Sequence, residues 1–168
     1  KSLLMISKID NEQFLKNETV NIKALIQEIV EDFQEHLSTK NIRLYIQHLD
    51  DFEFPNANRT LLFTLFSNII TNAIKYNVEN GQIDISATKQ GSVFVVEIRD
   101  TGVGIVKENL THIFDRFKKF NKSTEPSFGL GLAIVKTISD FHRLTLSVSS
   151  EANKGTTFRV EFPVSSFT

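Results

Sequence analysis

The sequence predicts an α/β fold: a two-layer sandwich whose mixed, mostly antiparallel sheet packs against three helices. Three segments read as helices, the first with the i, i+3, i+4, i+7 apolar spacing of an amphipathic helix, and five short runs are β-rich, several alternating apolar and polar residues. Their order interleaves helices with strands that follow one another through tight turns, which suits this sandwich and not a doubly wound parallel sheet.

The elements follow in turn along the 168 residues. Lys1 to Phe14 places Leu3, Leu4, Ile6 and Ile9 at loosely helical spacing, as the tail of a helix that belongs to something upstream. From Ile22, the residues Leu25, Ile26, Ile29, Val30, Phe33 and Leu37 mark one amphipathic helix with Asn21 as its cap. Ile42 to Ile46 alternates as a half-buried strand, and a second helix runs from about Asn58 to Tyr76. Asn80-Gly81 marks a turn. The runs Ile83 to Thr88 and Val93 to Arg99, separated by Gln90-Gly91, form a hairpin. Asp100 to Gly104 is a glycine-punctuated loop, and Val106 to Phe128 reads as a long, partly ordered loop with a short helix. Leu130 to His142 is the third helix; Leu144 to Ser149 and Thr156 to Phe162 close the fold as an antiparallel pair.

Composition narrows the function. Hydrophobic residues at 40% and charged residues at 23% suit one soluble globular domain, and fifteen phenylalanines predict an aromatic core. A formal net charge of -1 gives no support for a nucleic-acid or anionic-membrane partner. The absence of cysteine excludes a disulfide framework, a cysteine metal site and a cysteine nucleophile, and it fits a reducing, cytoplasmic setting. No apolar run approaches the ~20 residues that span a bilayer, and the sequence starts mid-pattern, as an excised domain would, which leaves room for a membrane anchor elsewhere in a longer parent.

Four segments carry chemistry. On the second helix, Asn68, Asn72 and Lys75 share one narrow sector at the border of the apolar face. Amide oxygens can ligate a hard cation and a lysine can pair with phosphate, yet solvated helix residues bordering a core would look the same. Asp100-Thr101-Gly102-Val103-Gly104 follows a strand, where Asp100 could accept a hydrogen bond from an exocyclic amine; an ordinary Asp-Gly turn is the alternative. Gly129-Leu130-Gly131-Leu132 opens a helix, whose N-terminal amides suit a phosphate or simply make a loop-to-helix turn. Gly155-Thr156-Thr157 enters the last strand, as any hairpin turn could.

In this order and at these separations, the four segments resemble the N, G1, G2 and final Gly-Thr motifs of sensor histidine kinase catalytic domains. These belong to the wider superfamily of gyrase, chaperone, kinase and MutL ATPases. Phe114-Asp115-Arg116-Phe117 resembles the family's lid motif, and the likeness runs from about Val20 to Pro163. The resemblance implies the Bergerat fold with a mobile ATP lid, and ATP and Mg²⁺ as ligands. Asn72 would ligate the metal, with Asn68 beside it near the triphosphate; Lys75 would contact phosphate and Tyr76 would pack on adenine. Asp100 would read the adenine amino group, often with a water held at the Thr156 position, and Gly102 and Gly104 would shape that wall. Gly129, Leu130, Gly131 and Leu132 would hold phosphates, and Phe114 and Phe117 would anchor the lid.

Two positions depart from the family pattern. Ser127 stands where a further glycine is usual, and Lys119 where lid kinases often carry an arginine; Arg116 could supply that cation instead. Hydrolytic branches place a glutamate one turn before the metal-binding Asn. Here Asn68 stands there, and an amide cannot act as a general base near neutral pH, which favours transfer to a histidine over hydrolysis. His36, His48, His112 and His142 all lack the phosphoacceptor context and read as surface or boundary residues. The implied organisation is therefore residues 1–16 as the end of a dimerisation and phosphoacceptor helix, and 17–168 as the catalytic ATP-binding domain. The implied partners are the chain's own dimerisation domain and a response regulator receiver domain, with no nucleic acid and no direct membrane contact. A nucleotide-binding docking module and an anti-sigma-type serine kinase are the alternatives.

Overall fold

A computed structural model describes residues 2–115 and 131–164. Its elements are α1 (Ser2–Asp10), β1 (Glu18–Asn21), α2 (Ile22–Asp32), α3 (Gln34–Thr39), β2 (Arg43–Leu49), β3 (Glu53–Ala57) and α4 (Arg59–Lys75). Then come β4 (Gln82–Gln90), β5 (Val93–Asp100), α5 (Lys107–Leu110), α6 (Gly131–Phe141), β6 (Thr145–Glu151) and β7 (Gly155–Pro163). Five strands form one sheet in the order β2-β4-β5-β7-β6, in which only the β2–β4 pair is parallel. The two-layer α/β sandwich expected from element order is thus present, with a mixed, mostly antiparallel sheet.

Period-two alternation decides what the sheet presents. On β5, Phe94, Val96 and Ile98 are buried within the main core. Their outward neighbours include Glu97 and Arg99, and Glu97 pairs with Arg159 of β7 across the solvent face. The inner face meets α2, α4 and α6, whose buried stripes include Leu25, Ile26 and Ile29, Leu65, Phe66 and Ile69, and Ile134 and Ile138. The aromatic core is real: Phe52 stacks on Phe94 at 4.4 Å between ring centroids, and Phe162 meets Phe54 edge-on at 5.0 Å.

The expected Asn21 cap forms, and Asn58 caps α4 in the same way. Asn21 accepts from the Ala24 amide at 2.8 Å and Asn58 from the Leu61 amide at 3.0 Å, each satisfying a donor with no partner inside its helix. The single helix expected from Ile22 to Leu37 is instead two, because the chain leaves helical geometry at Phe33 (φ -97°, ψ 4°). The apolar spacing carries across the break, so periodicity could not reveal it. The hairpin turn is Gly91-Ser92, one residue later than expected, with Gly91 at φ +65° and Gln90 paired to Val93. The sequence reading also missed a two-stranded sheet of β1 and β3. β3 contains Pro55 and an Asn56 at φ +53°, features that hide a strand from pattern reading.

Helix α1 packs against α6 and buries Ile6 and Ile9. The segment after it is tied down by Lys16 Nζ donating to the Phe141 carbonyl at 3.0 Å, and by Asn58 Nδ2 donating to the Leu15 carbonyl at 2.9 Å. Nearby, His142 corrects the expectation of a surface or boundary residue, since it is 4% exposed. Its Nδ1–H donates to the Ile138 carbonyl and its Nε2 accepts from the Asn58 amide, both at 3.0 Å. Burial lowers its pKa, which keeps the neutral ring that this pair of bonds requires.

Candidate functional site

The site arises where the apolar stripe of the sheet ends. Strand register lines up Ile83 of β4, Asp100 of β5, Thr156 of β7 and Ser150 of β6 as consecutive partners. Alternation puts Asp100 on the same face as Phe94, Val96 and Ile98, and Thr156 on the face of Phe158, Val160 and Phe162. The last rung of a greasy face is therefore polar and still buried: Asp100 is 7% exposed and Thr156 8%.

A carboxylate in this position needs donors, and the backbone supplies them. Asp100 Oδ1 accepts from the Gly102 amide at 2.8 Å and from the Thr156 amide at 3.3 Å. Both bonds fall on Oδ1, so Oδ2 has no protein donor among the described residues. Burial dominates over these two bonds and pushes the carboxyl pKa up to about 6. A buried, raised carboxyl with one open oxygen is a poor structural element and a good receptor for a ligand N–H.

Glycines bring the neighbouring loops close. Gly155 sits at φ +110° against the Asp100 carbonyl, and Gly104 at φ +71° against the Glu151 carbonyl, where a β-carbon would overlap backbone in both cases. The Asn153 amide donates to the Val103 carbonyl at 2.7 Å, joining the Asp100–Gly104 loop to the β6–β7 turn. At the other wall the Val103 amide donates to the Tyr76 carbonyl at 3.0 Å, joining the same loop to the end of α4.

Helix α4 supplies the third wall. Asn68, Asn72 and Lys75 are all half-buried, between buried Ile69, Ile70, Ala73 and Ile74 and exposed Thr71. Asn68 Nδ2 donates to the Thr64 carbonyl at 2.7 Å, which orients its Oδ1 to within 3.3 Å of where a β-carbon on Gly131 would lie. The side-chain amide of Asn72 has no hydrogen-bond partner among the described residues. Lys75 Nζ lies 5.6 Å from the Tyr76 ring centroid. All four segments singled out in the sequence therefore meet: Asn68 with Gly131, Tyr76 with Val103 beside Gly102, and Asp100 with Thr156.

Leu132 is half-buried on the first turn of α6, and Phe114 packs partly buried on the core next to buried Ile113. Arg116, Phe117, Lys119, Ser127, Gly129 and Leu130, and with them the expected lid, lie outside the described residues. Two residues that sequence reasoning missed belong to the site. Lys40 Nζ donates to the Lys75 carbonyl at 2.6 Å and the Ile74 carbonyl at 3.3 Å, placing a cation on the C-terminal carbonyls of α4. Ser150 contacts Thr156; the signal for it was the inward phase of β6, where Leu146 and Val148 precede it. Among the described residues no group of three His, Cys, Asp or Glu side chains could hold a metal, and no helix is long and apolar enough to cross a membrane.

Residues 57–166 match the family model described as histidine kinase-, DNA gyrase B- and HSP90-like ATPase. The heme sensor protein HssS of Staphylococcus saprophyticus is 36% identical over 163 residues, covering 96% of this chain and 35% of that protein. The chain thus spans about a third of the length of this curated relative. The catalytic domain of the histidine kinase ThkA superposes with a TM-score of 0.75 at 28% identity, covering 88% of this chain and 96% of that one. ThkA in complex with the response regulator protein TrrA gives a TM-score of 0.74 at 24% identity, over 97% of this chain and 47% of that one. Matched by that family model over residues 57–166, the chain belongs to the histidine kinase-, DNA gyrase B- and HSP90-like ATPase family.

Proposed function

We propose that this chain is the ATP-binding catalytic domain of a sensor histidine kinase, which donates the γ-phosphoryl group of ATP to a histidine on a separate dimerisation domain. The observation that carries this reading is the buried Asp100 with its open Oδ2, on a rung whose glycine loop meets the end of α4 while Asn68 of α4 approaches Gly131 at the start of α6. The adenine amino group would donate to Asp100, with Tyr76 against the base, and the polyphosphate would run along Asn68, Asn72 and Lys75 toward the amides that open α6. Lid groups Phe114 and Phe117, and a lid cation from Arg116 or Lys119, complete the reading, with Gly129, Leu130, Gly131 and Leu132 on the phosphates.

Mg²⁺ fits this site as a guest carried by phosphate. Asn72 offers an amide oxygen without a protein partner among the described residues, and hard cations accept such oxygens alongside phosphates and water. When bound, the ion would neutralise charge on the transferring phosphoryl group. The chain's own residues position and neutralise: Lys75 pairs with phosphate, and Asn68 holds its amide in place through the bond to Thr64. The acceptor imidazole nitrogen forms the new N–P bond as the bond from phosphorus to the β–γ bridging oxygen breaks and ADP leaves. No general base is required, which suits Asn68 where the hydrolytic branches place a glutamate.

Residues 1–16 read as the end of the dimerisation helix and 17–168 as the catalytic domain, a reading that suits a domain working on the cytoplasmic side of its parent protein. The partners are that dimerisation domain and a receiver domain. HssS is named a sensor and ThkA is seen with a response regulator, which supports the assignment. His142 is held neutral and bonded on both nitrogens, and His36, His48 and His112 lie outside any acceptor context, so the chain alone should not label itself. The test is incubation with labelled ATP and Mg²⁺, with and without an isolated acceptor domain. Acid-labile label on the acceptor alone is expected. Stoichiometric label on this chain contradicts a separate acceptor, and binding of ATP without transfer contradicts the kinase reading and favours a regulatory module.

A further inference from the structure

Ser150 Oγ lies 2.8 Å from three groups: the Gly155 carbonyl, the Ile105 amide nitrogen and Thr156 Oγ1. Counting protons fixes the direction of each bond. A carbonyl can only accept, so the single hydroxyl proton of Ser150 goes to Gly155. An amide N–H can only donate, so Ser150 accepts from Ile105. Its proton is then spent, and the contact with Thr156 forms only if the Thr156 hydroxyl is the donor. The proton of Thr156 therefore points along the rung toward β6, away from Asp100.

Thr156 is left with lone pairs only for the pocket. Asp100 adds an acceptor beside it, because both backbone donors fall on Oδ1 and Oδ2 remains open. Beside Asp100 Oδ2, this end of the site thus offers two acceptors and no hydrogen-bonded side-chain donor among the described residues. An exocyclic amino group, with two N–H donors, matches that pattern. A carbonyl at the same position would meet lone pairs and remain unpaired, which is an expensive way to bury a polar atom.

We propose that Ser150 is a positioning residue for nucleobase choice: by holding the Thr156 proton it keeps the pocket end all-acceptor, favouring adenine over guanine. The inference rests on the nucleotide-binding reading above and adds a residue that acts through Thr156, not on the base itself. Without Ser150 the Thr156 hydroxyl is free to rotate and donate to the O6 carbonyl of guanine, directly or through water.

The experiment is calorimetric titration of ATP and GTP, each with Mg²⁺, into the wild-type chain, Ser150→Ala and Ser150→Thr. The ratio of the two affinities is the readout, since partial unfolding lowers both alike. The wild type should prefer ATP, Ser150→Ala should reduce the preference roughly fivefold, and Ser150→Thr should restore it. An unchanged ratio in Ser150→Ala overturns the proposal. Should that variant fail to fold, proton NMR of the wild type decides: a slowly exchanging Thr156 hydroxyl proton close to the Ser150 β-protons is expected, and a freely exchanging one overturns it. A wild-type chain that binds neither nucleotide removes the nucleotide reading itself, a result distinct from a lost ratio.

Discussion

On β5 and β7, the alternation that points Phe94 and Phe162 toward the helices at one end of the sheet points Asp100 and Thr156 toward them at the other. The two ends share strands, register and face, yet they do opposite work. At the aromatic end, Phe94 and Phe162 are 0% exposed and every contact favours the folded state. At the polar end, a carboxyl is buried with donors to only one of its oxygens, and burial pushes its pKa up to about 6. The same backbone therefore stabilises the molecule at one end and keeps a costly, ligand-ready group at the other.

The largest effect is expected at the aromatic end. Phe162→Ala should lower stability by about 3–5 kcal/mol, read from urea denaturation, because it removes the ring that meets Phe54, Phe66 and Phe94. Nucleotide affinity of the folded fraction should stay near the wild-type value; a parallel loss of affinity would show that the two ends are not separable.

The polar end responds with the opposite sign. Because burial holds the Asp100 pKa above its unfolded value, the folded state carries more protons than the unfolded state between about pH 4 and pH 6. Stability from this group therefore falls as pH rises through that window and stays low above it. Asp100→Asn keeps an oxygen for the Gly102 and Thr156 amides and removes the charge. Its stability relative to wild type should grow by about 2 kcal/mol between pH 4 and pH 7, measured by denaturation at each pH. A pH-independent difference would contradict the burial account of Asp100.

A smaller effect is expected at Lys40, whose ammonium holds the Ile74 and Lys75 carbonyls at the end of α4. Lys40→Met should cost about 1 kcal/mol of stability by removing a cation from a helix C-terminus, while Lys40→Arg should recover most of it. Thermal unfolding of the two variants separates the charge from the length of the side chain.

The layered fold was legible because it rests on periodicity: the i, i+4, i+8 spacing of Leu61, Leu65 and Ile69 and the alternation of Phe94, Val96 and Ile98 each name a buried face. What escaped depends on tertiary neighbours or on backbone geometry. The break at Phe33 leaves the apolar spacing intact, and β3 is disguised by Pro55 and Asn56. Within the candidate site, Asp100, Thr156, Asn68 and Asn72 could be singled out because their motifs are local in the chain. Ser150 was not, because its role comes from strand register: it stands beside Thr156 across β6 and β7 and fifty residues' worth of chain from Asp100 on β5. Lys40 escaped for a similar reason, since it reaches α4 from the end of α3.

The central claim is that the buried polar rung exists to receive an adenine nucleotide. Calorimetric titration of ATP with Mg²⁺ into the wild-type chain and Asp100→Asn tests it most directly, alongside the stability of both proteins at the same pH. The account predicts saturable binding to the wild type and its loss in a variant that is folded and more stable. Equal binding to both proteins, or none to the wild type, would contradict it.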